Sequence, residues 1–396
     1  MGRYEKLKEM INCEIEKEMA AAIMLSDDLA DHPEDSGKEY ESCKKIVRLL
    51  ESRGYRTEHP FAGYDTAFRG IYGENNHRYK IALLTEYDAL PEIGHACGHC
   101  LSGAISVLAG FALRELQDEL DADIHIIGTP NEESAGAKCV MVSQGVFDGY
   151  DMAMMVHLYD QNLLAPVLQA MDSYLYTFHG KAVHASTKPW DGINALNSVQ
   201  LMFHAVDMLR QHVTPDVRMH GVYRNGGQAP NVVPEEASAE LFIRALDRHY
   251  LNDLVRKVDD CARGAAIATQ ASWKKQETAP PYDNLLANEE GLRALAEVFD
   301  ELEIPLNGDP NAIFGSSDAG NVSFVCPTFH PCLQVVDRGI AIHTRAFAEQ
   351  MKSERAHQGI VTGAKMIAYQ TAKIFSDLHR IDQMKQSYNS MFLILA

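Results

Sequence analysis

Five short segments hold most of the side chains able to do chemistry: Thr85-Glu-Tyr-Asp-Ala-Leu-Pro91, Gly94-His-Ala-Cys-Gly-His99, Pro130-Asn-Glu-Glu133, Met154-Met-Val-His157 and Ile342-His343-Thr344. Together they supply a thiol, several imidazoles and several carboxylates, the usual donors to divalent transition metals. In Cys97-Gly-His99 the glycine lets the backbone turn tightly enough for both neighbours to face one ion. Cys97 and Cys100 also form a C-x-x-C pair, which reads as a redox dithiol or half a zinc ribbon. No second pair exists to complete a ribbon. Adjacent Glu132 and Glu133 form either a solvated turn or a division of labour, one carboxylate holding metal and the other taking a proton from water. Taken singly, His157 at a strand end and His343 in a loop suit a structural role as well as ligation.

These segments follow elements that would bring them together. Ile81–Leu84, Ile124–Ile127 and Met152–Val156 read as short buried strands, and residues 100–117 and 134–146 as helices between them. Apolar strands alternating with helices indicate a mostly parallel sheet covered on both faces, which gathers ligands at the carboxyl ends of its strands. Upstream, Leu7, Ile11, Ile15, Met19 and Ile23 predict one amphipathic helix ended by His32-Pro33. Ser36 and Glu39 have capping-box spacing ahead of a second helix that carries Tyr40, Cys43, Ile46 and Leu50 and closes at Gly54.

The rhythm then changes to strand 172–179, helix 191–212, strand 218–224, strand 237–245, helix 249–267 and strand 271–277. In 237–245, Ala239, Leu241 and Ile243 share one face, and Glu240, Phe242 and Arg244 the other. This βαββαβ order is a ferredoxin-like unit, and Thr278-Ala-Pro-Pro-Tyr282 reads as its exit linker. Residues 289–302 and 350–375 return to helix. The expected fold is α/β, a mostly parallel sheet flanked by helices over 1–170 and 285–396, interrupted by a lid and dimerisation domain over 171–284.

Composition narrows the function classes. The 396 residues carry 36 basic and 55 acidic side chains, a net charge of −19. Such a chain repels phosphate backbones and anionic lipid surfaces, so nucleic-acid binding is not expected. No apolar run reaches the length of a membrane span, and the charged start has no signal-peptide core. A cytoplasmic protein without membrane partners is expected, its eight cysteines free, metal-binding or chemically active.

Seven motifs in order, EYDALPEIGHACGH, GTPNEE, MMVHL, GKAVHAS, GGQAPNVVPEEASAELFIRALD, GSSDAGNVSFVCPTFHP and IHTRAF, make the chain resemble the M20 metallopeptidase and amidohydrolase family. The likeness runs from about residue 30 to about residue 375 and is greatest to the aminoacylase-like branch with p-aminobenzoyl-glutamate hydrolase subunits and M20 dipeptidases. It implies a zinc-peptidase-like catalytic domain with two divalent ions per chain, Zn or Mn ahead of Co or Ni, held by Cys97, His99, Glu133, His157 and His343. It implies Glu132 as general base and Asp88 as the residue that orients a ligand, with Glu86 where other branches carry a histidine ligand. His184 resembles a family histidine that reaches a neighbouring subunit's active site, Asn231 one that holds a substrate carbonyl or carboxylate, and Arg244 an arginine that grips a carboxylate. The implied activity is hydrolysis of N-acyl or aminoacyl amino acids or short dipeptides by a homodimer paired through the lid, or a tetramer of such dimers. Cys100 stands where the family has Asn or Asp, and Leu158 where Pro is common. Cys100 is an inert small residue, an adventitious ligand or an oxidation-sensitive thiol. Two other readings stand beside this one: a cysteine-nucleophile amidohydrolase built on Cys97 or Cys100, and a binding or scaffold protein that keeps the fold without catalysis.

Overall fold

The apolar runs at 81–84, 124–127 and 152–156 lie side by side in a computed structural model that describes residues 2–395. They form the middle of a six-stranded sheet in the order Arg56–Glu58, Phe68–Ile71, Ala122–Gly128, Tyr79–Thr85, Met152–Met154, Thr328–Phe329. The last four strands run parallel and the first two pair antiparallel. Every residue of Ala122–Gly128 is buried, as expected of a strand covered on both faces. Ile81, Leu83, Ile124, Ile126, Met152 and Met154 share one core with the helices Arg3–Asp31, His99–Leu113 and Glu354–Phe375. Ala82, Leu84, Ile127, Ala153 and Met155 face a second core with Met141, Phe147, Ala319 and Val322. The alternation is the two-residue period of a strand. All of this belongs to one compact unit, Met1–Val167 with Leu285–Phe314 and Asp318–Ala396.

The second unit spans Leu168–Asn284 with Gly315–Ser317. It is a four-stranded antiparallel sheet in the order Ser272–Tyr282, Ala170–His179, Glu236–Ala245, Arg218–Asn225. The helices Ala195–Leu209 and Arg248–Thr269 bury Ala237, Ala239, Leu241 and Ile243 against Val199, Met202, Leu254 and Val258. Each helix starts where a side chain satisfies its free N–H groups: Asn194 accepts from Leu196 and Asn197, and Asp247 from Tyr250.

Three sequence expectations change. The first helix runs to Asp31, but its buried stripe is Leu7, Ile11, Ile15, Glu18, Ala22, Leu25 and Leu29, and Met19 is exposed. Steps of four overshoot a 3.6-residue turn by about 40°, so an apolar stripe must alternate threes with fours. The segment 278–282 is not a linker: the last strand continues to Tyr282, with register shifts on either side of Ala279. It is an edge strand, and Pro280 and Pro281 fall within the register shift between Ala279 and Tyr282, where the ladder is interrupted. The capping box does not form either. Glu39 is buried and accepts from the backbone N–H of Gly37 at 2.5 Å and of Asn131 at 2.9 Å, while Ser36 Oγ donates to Asn131 Oδ1. Both residues tie down the loop that carries Glu132 and Glu133.

Candidate metal centre

The parallel strands deliver their following residues to one end of the sheet. Glu86 and Asp88 follow Tyr79–Thr85, Glu132 and Glu133 follow Ala122–Gly128, His157 follows Met152–Met154, and His330 follows Thr328–Phe329. The helix His99–Leu113 starts in the same place, with Cys97 one residue ahead of its cap, Gly98. Gly98 has φ +83°, and a Cβ there would lie 2.9 Å from Leu158 Cβ. Glycine is therefore required between the two donors, by backbone angle and by space. Gly103, one turn on, lets the helix close on the strand end, since a Cβ there would sit 2.5 Å from the Glu86 carbonyl oxygen.

The donors converge. Cys97, His99 and His157 each present a ligand atom within 4.8 Å of the other two, and so do Cys97, Glu133 and His343, so the thiol is common to both groups. A third group joins His99 with Glu132 and Glu133. Cys97 Sγ lies 3.4 Å from His157 Nε2, and His343 Nε2 lies 3.5 Å from Glu133 Oε2. Asp88 is the hub beneath them: its Oδ1 is 2.8 Å from His99 Nδ1, and its Oδ2 accepts the Glu133 N–H at 2.9 Å. Holding Nδ1 turns His99 Nε2 toward the donor cluster, the geometry by which a carboxylate fixes a metal-binding imidazole. His99 Nε2 and Glu133 Oε1 are buried and make no hydrogen bond, although Glu86 Oε2 lies 3.3 Å from His99 Nε2. Orphaned buried polar atoms carry a cost that a bound cation relieves, so these residues fit a divalent metal.

The electrostatics agree. Burial pushes the Cys97 thiol well above its usual range, with Glu133 adding to the shift. His99 opposes that shift, and a thiol coordinated to a metal cation deprotonates outright. Burial, with His330 and His99, holds His157 down to about 3, in the neutral form that ligates. Burial works against a charged His99, but Asp88 and Glu86 outweigh it and raise its pKa. Burial also lifts the Glu132 carboxyl well above its usual range, helped by Glu86, Asp318 and Glu133. Cys100 sits in the first turn of a helix, yet burial pushes it up to about 12. Burial of both thiols opposes the thiolate form and weighs against the cysteine-nucleophile reading.

Two further buried residues lie beside these donors: Asp318, part of the GSSDAGNVSFVCPTFHP motif, and Lys138, to which the sequence assigns no role. Lys138 is fully buried, with its ammonium 2.6 Å from Glu86 Oε1 and 2.6 Å from Asp318 Oδ1. A lone lysine in a short amphipathic stretch reads as a solvated side chain, so the sequence carries no signal for it. The helix there is Ala137–Ser143, shorter than the expected 134–146. His157 opens a short strand, His157–Tyr159, beside Cys332–Gln334 instead of closing the one before it.

His184, Asn231 and Arg244 lie in the second unit. His184 is exposed, and its Nδ1 accepts from the Ser186 N–H at 3.3 Å and faces Thr187 Oγ1 at 3.1 Å. In the neutral ring this leaves the proton on Nε2, a hydrogen-bond donor. Asn231 is next to it, its carbonyl accepting the Ala185 N–H at 2.9 Å. Arg244 is half-buried, donates to Ser316 Oγ at 3.3 Å, and pairs with no carboxylate among the described residues. A guanidinium without an acidic partner is available to a ligand carboxylate.

Comparison with known proteins identifies the family and the fold. Residues 170–269 match the family described as the peptidase dimerisation domain. The Xaa-Arg dipeptidase of Mus musculus is 32% identical over 355 residues, 85% of this chain and 81% of its own length. A p-aminobenzoyl-glutamate hydrolase subunit of Escherichia coli is 26% identical, covering 98% of this chain and 96% of that protein. A Bacillus subtilis structure described as a dinuclear metal binding peptidase from the M20 family superposes with a TM-score of 0.69 at 19% identity, over 91% of this chain and 98% of that one. The Klebsiella pneumoniae aminobenzoyl-glutamate utilization protein superposes with a TM-score of 0.70 at 16% identity, over 92% and 98%. No described helix is long and apolar enough to cross a membrane.

Proposed function

The chain belongs to the M20 peptidase family, and from that premise we propose that it cleaves the amide bond of N-acyl or aminoacyl amino acids or short dipeptides. It is a metal-dependent hydrolase of amide and peptide bonds. The observation that carries the reading is the pair of donor groups sharing Cys97, whose members His99 and Glu133 each keep a buried atom, Nε2 and Oε1, that makes no hydrogen bond.

We assign metal to Cys97, His99, His157, Glu133 and His343, as two divalent ions per chain, Zn or Mn. When bound, such ions polarise the scissile carbonyl and lower the pKa of water. Asp88 orients His99 and the Glu133 backbone. Glu132 takes the proton of the attacking water and returns one to the leaving amine. Arg244 receives the substrate carboxylate. The protein acts as a homodimer in which Nε2–H of His184 stabilises the oxyanion of the partner's site. Its match to a peptidase dimerisation domain supports that pairing.

Metal content by mass spectrometry, with turnover measured before and after chelation, tests this reading. Acyl amino acids and dipeptides, including those ending in arginine as the mouse relative's name suggests, form the substrate panel. About two ions per chain, activity lost on chelation and regained with Zn or Mn, is the expected result. Protein that stays metal-free after reconstitution, or turns over at full rate without metal, sinks the reading and returns the scaffold and thiol alternatives. Removing one oxyanion donor costs about 100- to 1,000-fold in rate, so His184→Ala is expected to keep its metal and lose that much turnover. Mixing His184→Ala with an inactive Glu132→Gln chain is expected to restore activity, because one site of each hybrid dimer is intact. Mixtures no better than the separate variants would show that His184 does not act across subunits.

A further inference from the structure

Beside the metal donors lies a second cluster of buried charge, and it holds a lysine. Lys138, in the first turn of Ala137–Ser143, is fully buried. Its ammonium reaches Glu86 Oε1 and Asp318 Oδ1, both at 2.6 Å, and its backbone N–H donates to Asp318 Oδ2 at 2.9 Å. Glu86 follows a strand, Glu132 lies in the loop after the neighbouring strand, and Asp318 immediately precedes the helix Ala319–Ser323. Each of the three acids offers an oxygen within 4.8 Å of the others, which is the spacing of ligands around one cation. An all-oxygen set of this kind suits hard divalent ions. Carboxylates so close together, with Glu86 and Asp318 fully buried and Glu132 partly so, need compensating positive charge, and here the chain supplies it.

We propose, on the metal-hydrolase reading above, that Lys138 is a resident cation of the catalytic centre. Its ammonium fills the carboxylate pocket of Glu86, Asp318 and Glu132 and keeps a divalent ion out of it. Metal is thereby confined to the donors around Cys97. The exclusion matters at two atoms. Glu86 Oε2 lies 3.3 Å from His99 Nε2, so an ion drawn to Glu86 would compete for a donor of the neighbouring group. Glu132 belongs to the same carboxylate set, and an ion there would take its oxygen as a ligand instead of leaving it for proton transfer.

The test compares wild type, Lys138→Ala and Lys138→Ala/Asp318→Asn after dialysis against excess Mn²⁺, reading ions per chain by mass spectrometry and folding by circular dichroism. Lys138→Ala vacates the pocket and leaves its charge uncompensated, so it is expected to hold one Mn²⁺ more per chain than wild type. The double variant removes a ligand as well and is expected to return to the wild-type count. If Lys138→Ala does not fold alone, it is expected to regain native dichroism on refolding with Mn²⁺ and not with Na⁺ at equal ionic strength. Three results would overturn the proposal: no gain of metal in folded Lys138→Ala, a gain that survives Asp318→Asn, or no rescue by Mn²⁺ while the double variant folds. Wild-type protein without metal would count against the hydrolase reading instead, since this proposal is read from the difference between variant and wild type.

Discussion

Replacing Cys97 with alanine is expected to empty the metal centre and bring hydrolysis down to background. Cys97 is common to two groups of side chains placed to hold a metal ion, one completed by His99 and His157 and the other by Glu133 and His343. Losing it therefore weakens both, whereas losing His157 or His343 touches one. Partners that only support a ligand already cost about 10- to 100-fold in affinity or activity when mutated, so a shared ligand should cost more. The thiol is buried, and burial together with Glu133 keeps it protonated in the absence of a cation. Metal binding must then release that proton. The sign follows: affinity in the wild type should fall as pH falls, and Cys97→Ala should lose that part of the dependence. Cys100→Ala is the control, because Cys100 belongs to none of the donor groups found among the described residues and is expected to leave metal and turnover unchanged. Metal content and turnover of the two variants decide the matter. Cys97→Ala with full metal content and no activity would point to a nucleophilic thiol, and full content with full activity would remove Cys97 from the site.

The legible part of the chain is the part set by neighbours in sequence. The three central strands and the βαββαβ unit follow from local apolar spacing, a property of contiguous residues. The donors were legible for a different reason: glycine-flanked Cys97 and His99, paired Glu132 and Glu133, and His157 each end or follow an apolar run, so the sheet topology places them together. What stayed hidden depends on partners far away in sequence. Lys138 and Asp318 are 180 positions apart, and nothing near either one announces a buried ion pair. Glu39 has the spacing of a helix cap, but the loop around Asn131, 92 positions on, offers its backbone N–H and wins. Pro280 and Pro281 look like a linker because prolines break ladders, and only the sheet order shows that theirs is an edge. In each case a distant partner overrode the local chemistry.

Glu132→Gln is expected to fold, bind metal at the wild-type level and lose about 100- to 10,000-fold in kcat, the range over which a positioned general base acts. Glutamine keeps the shape of the side chain and removes its ability to accept a proton. The two donor groups built on Cys97 are complete without Glu132, so metal content should not change. What should change is proton transfer. Glu86, Asp318 and Glu133 crowd negative charge around this carboxyl in a buried setting, and together they raise its affinity for a proton. Substrate binding rests on other residues, so KM should stay within a few-fold of wild type while kcat collapses, the pattern of an interaction made only in the transition state. Single-turnover kinetics with metal content measured on the same sample distinguishes the alternatives. Wild-type turnover would dismiss Glu132 as the base. Loss of metal in proportion to activity would make it a ligand instead, and the split between Glu132 and Glu133 would have to be redrawn.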